Sequence, residues 1–331
     1  MLGFEDILGH EQIKDYFKHA LERRQVSHAY ILTGEAGMGR KTLANAFAMA
    51  LQCEDGETRA CGTCHSCRQF VSGNHPDVVY VRHEKPGSIG VGDVREQIIN
   101  DVDIKPYSSP YKIYIVDQAE LLTVEAQNAL LKTIEEPPEY AVIFLLTTNS
   151  EAFLPTILSR CTTLKLKPLY DQAIKTYLKE HEKVSEHQAD VCAAFARGNL
   201  GRAVALASSE EFVRMQEIVL ELLKHVNTME IREMSAVLKE IKSANLNVED
   251  CLDFMQLWYR DVLMFKATRD TSMFIFKDEY RYIKEIADHS SFDGIEKILK
   301  AIEKAGVRLR ANVNYEVAME LMLLVMKENF V

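Results

Sequence analysis

The fold is decided by residues 28–50, HAYILTGEAGMGRKTLANAFAMA. An apolar run ends at Thr33, glycines follow at 34, 37 and 39, and an alanine-rich stretch of helical composition comes next. Strand, glycine turn and helix in that order make the layout of a phosphate-binding loop, G-x-x-x-x-G-K-[ST]. The backbone amides of such a turn cradle phosphate at a helix N-terminus. Gly34 and Gly39 take the two glycine positions, with Gly37 between them. The alternative is a flexible turn at 34–39 in some other α/β fold.

Two positions depart from the pattern. Where lysine belongs stands Arg40, and where the serine or threonine belongs stands Lys41. The missing hydroxyl is the group that ligates magnesium on the β and γ phosphates. Lys41 offers no acceptor, and its own charge would sit beside the metal. Thr42 carries a hydroxyl but is turned by about 100° around the helix. Arg40 can touch phosphate, with a planar fork in place of a compact ammonium. The second half of the site agrees. KIYIVDQAE (112–120) is an apolar strand ending in Asp117, and the next residue is Gln118 rather than a glutamate that could orient water. Glu120 lies two positions on. The expectation is a nucleotide fold whose metal chemistry and hydrolysis are lost.

Outward from the loop, strand-length apolar runs occur at 28–33, 78–82, 112–117, 141–148 and 163–167. Helical patterns lie between most of them, at 41–52, 91–101 and 123–136, with a turn-rich KPGSIGVG at 85–92. Such alternation predicts an α/β domain built on a parallel five-stranded sheet with helices on both faces. After Pro168 only helical periodicity remains. A short group at 170–208 carries a capping box, Ser185 to Gln188, and a longer group fills 210–331. In the last helix Val317, Leu321, Leu324 and Met326 are expected to form the buried stripe. The division predicted is an α/β domain at 1–167, a small helical lid at 168–208 and a helical C-terminal domain at 209–331.

The chain has 331 residues, 47% hydrophobic and 27% charged, enough for two or three cores. No apolar run reaches membrane-span length, and the start, MLGFEDILGHEQIK, places acids where a signal peptide is apolar, so a soluble cytosolic protein is expected. The formal net charge of −10 excludes a protein that coats nucleic acid by itself. Any DNA contact must be local or shared with partners; Lys112 and Lys132 are candidates, with solvated surface as the plainer reading.

Four of the seven cysteines crowd CEDGETRACGTCHSC: Cys53, Cys61, Cys64 and Cys67, spaced C-x7-C-x2-C-x2-C. An odd count in an apparently cytosolic chain argues against a disulfide framework. Four thiolates at short spacing suit a closed tetrahedral zinc site of structural type. His65 is a competing ligand, an iron–sulfur cluster is an alternative, and a zinc module gripping nucleic acid is disfavoured because the segment lacks clustered basic and aromatic residues.

Taken together, these stretches resemble the AAA+ clamp-loader subunits of bacterial DNA polymerase III, and within them the delta-prime line. The matching segments are the loop region, the four-cysteine segment, YKIYIVDQAELLTVEAQNALLKTIEEPPEYAVIFLLTTN (111–149), LPTILSRCTTLKLKPL (154–169) and ANVNYEVAMELMLL (311–324). The resemblance implies an AAA+ module followed by a helical collar through which five subunits assemble. It implies gamma/tau and delta subunits as partners, and the sliding clamp and primed DNA through the complex. It implies a stator that needs no ATPase of its own. Ser159, Arg160 and Cys161 match the family's arginine-finger motif, with Arg160 reaching ATP on the neighbouring subunit. A local ion pair is the alternative role for Arg160. Thr148 and Asn149 fall at the sensor-1 region and are read as remnants. In GNLGRAV (198–204) active relatives carry a sensor-2 arginine at Gly201, which leaves Arg202 displaced by one. Glu135 and Glu136 form a helix end, not a catalytic pair. The competing function is an active gamma/tau-like ATPase subunit.

Overall fold

The computed structural model describes residues 3–56, 59–83, 85–272 and 274–330. They divide into two compact units. The first runs through Leu169 and includes Asn199–Gly201; the second comprises Tyr170–Gly198 and the chain from Arg202 onward.

The first unit is built on five strands: β1 (Ala29–Thr33), β2 (Val78–Tyr80), β3 (Lys112–Val116), β4 (Ala141–Thr147) and β5 (Thr162–Lys165). All neighbours are parallel, in the order β2-β3-β4-β1-β5. The central strands β1, β3 and β4 are buried throughout, which is why they read as unbroken apolar runs rather than alternating ones. Edge strand β5 alternates between half-buried and exposed positions. Odd and even residues go to opposite faces. Tyr30, Leu32, Ile113, Ile115 and Phe144 meet α1 (Glu11–Glu22) and α2 (Arg40–Leu51) on one face. There Phe17 stacks on Phe47 with centroids 4.1 Å apart, and Tyr30 stacks on Phe144 at 5.3 Å. On the other face Ile31, Tyr114, Val116 and Leu145 pack with α4 and with α5 (Val124–Glu135). Here α4 is one run with a π-helical turn: Val91–Val94, Arg95–Ile99 and Asn100–Val102. Two shorter helices join these layers: α3 (His65–Val71), in the cysteine insertion, on the α1 and α2 face, and α6 (Pro155–Leu158) on the other. The predicted sheet and its two helical layers are thus what the chain forms.

Lys112 corrects the surface reading. It is buried, pairs with Asp101 at 2.8 Å, and donates to the carbonyls of Asp101 and Ile104. It fastens the end of α4 to the start of β3 and is not available to DNA. Lys132 is exposed.

The second unit is helical: α7 (Asp171–Tyr177), α8 (Glu186–Ala196), α10 (Glu210–His225), α11 (Ile231–Ser243), α12 (Val248–Thr268), α13 (Tyr280–His289), α14 (Phe292–Arg310) and α15 (Tyr315–Glu328), with α9 (Leu200–Ala207) starting in the segment assigned to the first unit. Trp258, Tyr259, Phe254 and Phe276 form its centre. Phe195 of α8 meets Phe212 of α10 edge-on at 5.0 Å, and Asp190 of α8 pairs with both Lys175 and Lys277. The helices before and after residue 208 therefore share one core. Ser185 caps α8 by accepting from the Gln188 amide, but the Gln188 side chain donates to the Ala207 carbonyl, so the cap is one-sided and not the reciprocal box. The stripe predicted for α15 is also displaced. Ala318, Met319, Met322, Leu323 and Met326 are buried, whereas Val317 and Leu321 stand exposed. The helix is apolar around most of its circumference, so periodicity alone did not single out the buried face.

Candidate functional site

The carboxyl ends of β1, β3 and β4 lie side by side, the edge at which ligands bind in open parallel sheets. After β1 the glycine turn forms as the pattern requires. Gly37 and Gly39 have φ of 87° and 95°, a region that favours glycine. The Gly34 amide donates to Thr147 at the end of β4. Gly39 is the N-cap of α2 and no side chain caps that helix. Arg40 is nine-tenths buried and its Nη1 has no protein acceptor.

Lys41 and Asp117 come together. Lys41 Nζ lies 3.4 Å from Asp117 Oδ2, and 5.7 Å from the centre of the Tyr80 ring. In the phosphate-loop pattern these two positions belong to the metal. Here an ammonium neutralises the acid directly. Gln118, with φ of 51°, donates its amide to Asp117 Oδ1. Glu120 takes another route. Its carboxylate accepts the Thr148 hydroxyl at 2.6 Å and the Thr148 amide at 3.3 Å. Burial pushes this carboxyl up, but the Thr148 hydroxyl and the amides prevail and hold it below its ordinary range. Asn149 caps the 3-10 turn Ser150–Ala152 through the Glu151 amide. Thr42 remains on α2.

A second segment reaches the loop. Asn199 Nδ2 donates to the Ala36 carbonyl at 2.7 Å, and the Gly201 amide to Gly37 at 3.1 Å. A Cβ at position 201 would lie 2.6 Å from the Gly37 oxygen and 2.8 Å from its Cα. A side chain at 201 therefore needs the segment or the loop backbone to shift. Arg202 pairs with Asp250 at 3.6 Å.

Arg160 follows α6, just beyond its C-cap Ser159. Its Nη2 lies 2.9 Å from Glu135 Oε1, and its Nη1 donates to the Thr156 carbonyl and the Ser159 hydroxyl. The local carboxylate allowed for in the sequence is Glu135, the last residue of α5. Cys161 is half-buried, and burial pushes its thiol up to about 12.

The four cysteines of the insertion converge. The Sγ atoms of Cys53, Cys61, Cys64 and Cys67 all lie within 4.8 Å of one another. A tetrahedral site with metal–sulfur bonds near 2.3 Å needs sulfurs about 3.8 Å apart, so the donor set fits after a small contraction. Amides already point at the sulfurs: Cys61 N at Cys53, Cys64 N at Cys61, and Cys67 N at Cys64. The Cys64 amide, helped by Thr63, pulls the Cys61 thiol down to about 6, whereas burial pushes Cys67 up. A bound metal ion would favour the thiolate form of the cysteines. His65 is not among the converging groups. Behind the cluster, Ser66 Oγ meets His75 Nε2 at 3.0 Å, and the same nitrogen meets Ser109 Oγ at 3.2 Å. Burial lowers the His75 pKa and keeps the ring neutral. Neither His75 nor Gln127, Glu135 and Asn199 stood out in the sequence as partners, since each acts on an element distant along the chain.

A parallel sheet with a phosphate-loop turn after β1 and an acid after β3 defines an α/β module of the P-loop class. The comparisons narrow this. A family model described as DNA polymerase III, delta subunit, matches residues 9–170. The delta' subunit of DNA polymerase III from Bacillus subtilis is 30% identical over 314 residues, 94% of each chain. The tau subunit of the same organism is 29% identical over 286 residues, 80% of this chain but 50% of its own length. Escherichia coli tau is 33% identical over 210 residues, 61% of this chain and 32% of its own. A gamma subunit-related protein from Thermotoga maritima aligns over 96% of this chain and 99% of its own, at 20% identity and a TM-score of 0.43, too distant to add an argument. The chain belongs to the clamp-loader family of bacterial DNA polymerase III subunits. The chain covers 94% of Bacillus subtilis delta' and half of Bacillus subtilis tau.

Proposed function

We propose that the chain is the delta-prime-type stator of a clamp loader: a subunit that hydrolyses no ATP itself and donates Arg160 to the nucleotide on a neighbouring ATPase subunit. The observation that carries this reading is the Lys41–Asp117 pair, in which an ammonium stands where a magnesium-ligating hydroxyl would be. Glu120 is spent internally on Thr148, and the loop carbonyls of Ala36 and Gly37 on Asn199 and Gly201. Gln118 cannot serve as a base. By contrast Arg160 is only partly covered, with a side chain 39% exposed, and it stands clear of the chain's own loop residues in its bonding. A guanidinium supplied in trans neutralises charge on the transferred phosphoryl group, an effect of about 10³–10⁵ in rate in GTPases.

The reading places gamma/tau-type and delta-type subunits beside this chain, and clamp and primed DNA as partners of the complex, in the cytoplasm. No helix among the described residues is long and apolar enough to cross a membrane. Helices 170–208 are read as the lid and 209–331 as the collar. The exposed Val313, Val317 and Leu321 form an apolar strip at and along α15, suited to helix contacts between collars. The cysteine cluster is read as structural zinc, closed to catalysis because four cysteines fill the tetrahedral set and leave no position for water or substrate.

The test is magnesium-dependent ATP turnover by the isolated chain. Phosphate release at background is expected. Robust turnover that disappears on Arg40→Ala or Lys41→Ala would instead make this an active gamma/tau-like subunit.

A further inference from the structure

We propose that Glu135 is a positioning residue for the Arg160 guanidinium, and that helix α5 holds the finger segment at both ends. The inference rests on the trans role proposed for Arg160. Helix α6 has four residues, too few to hold its own shape. At its start, the buried Gln127 of α5 accepts the Leu154 amide at 2.8 Å and donates to the carbonyls of Leu122 and Ala152. Eight residues further along α5, about 12 Å along the axis, Glu135 Oε1 meets Arg160 Nη2 at 2.9 Å. The finger segment is thus pinned by one amide at its entrance and one carboxylate at its exit. The far end of α5 is itself fixed, because Pro137 and Pro138 follow and the Pro138 carbonyl accepts the Ala141 amide of β4.

Stability does not account for the Glu135–Arg160 pair. Its side chains are 45% and 39% exposed, and pairs open to solvent contribute little to stability. Geometry does. A free arginine side chain samples many rotamers, and a carboxylate on one edge fixes the plane of the fork. Of its five N–H groups, three bonds are spent on Glu135, Thr156 and Ser159. The remainder can face phosphate oxygens without the guanidinium leaving its support. The negative charge of Glu135 opposes an anionic ligand, so its contribution is orientation.

The test is ATP turnover by a loader reassembled with the ATPase subunits of the same organism, carrying this chain as wild type, Glu135→Ala, Glu135→Gln or Arg160→Ala. Assembly is checked by size-exclusion chromatography. Arg160→Ala sets the floor. Glu135→Ala should lower kcat by about tenfold at unchanged KM, since small misplacements of a catalytic group are costly. Glu135→Gln keeps the acceptor oxygen and should recover much of that loss. If Arg160→Ala falls to the floor while Glu135→Ala matches or exceeds wild type, the positioning role is overturned and the finger stands. If Arg160→Ala equals wild type, the finger reading fails and this inference falls with it. Loss of assembly in both Glu135 variants but not in Arg160→Ala would overturn the inference in favour of a structural role.

Discussion

Gly201 sits against the phosphate loop so closely that a single methyl group would meet Gly37 at 2.6 Å. Both contacts are backbone, so neither can swing aside. Overpacking of this sort costs about 1–3 kcal/mol, and Gly201→Ala should lower urea stability by that amount; an unchanged midpoint would show the segment to be freely displaceable. A longer side chain at 201 would force the segment to move away from the loop. Lys41 tells the same story from the other side of the loop. The sequence exposed the loss of the hydroxyl at once, because a motif fixes which residue type belongs there. It did not expose the pairing with Asp117, which depends on β1 and β3 lying in one sheet with β4 between them.

At the scale of elements, the strands were legible because a parallel sheet covered on both faces demands continuous apolar runs, and β1, β3 and β4 supply them. What stayed hidden were partners held at long range. Lys112 looks like a surface charge until α4 brings Asp101 to it. The face of α15 was missed because the helix is apolar around most of its circumference, so periodicity alone does not mark its buried side, Ala318, Met319, Met322, Leu323 and Met326. The cysteine insertion was legible by spacing, while its support was not. Ser66, inside the cluster's own helix, reaches His75 and through it Ser109, so the insertion is tied to the loop before β3. Structural zinc in finger peptides contributes about 10–16 kcal/mol of apparent binding energy. We expect one zinc per chain by metal analysis. Chelation should lower Tm by at least about 5 °C and open residues 53–67 to protease. A metal-free preparation with unchanged Tm would contradict the structural-zinc reading.

For the whole molecule, the two compact units carry different parts of the proposed role. The first holds a nucleotide fold in which Lys41 pairs with Asp117 and Glu120 with Thr148, together with an arginine just beyond a short, externally braced helix. The second is a helical body whose α15 keeps an apolar strip exposed. A motor would need its loop open to magnesium and its acid free; a fixed subunit needs neither, and needs its arginine placed for someone else. The decisive measurement is therefore the ATP turnover of the assembled loader, stimulated by clamp and primed DNA, with Arg160→Ala in this chain alone. The account predicts an intact complex whose turnover at the adjoining site falls by about 10³-fold or to background. Turnover equal to wild type in an intact complex would contradict it, and Arg160 would then be no more than the surface partner of Glu135.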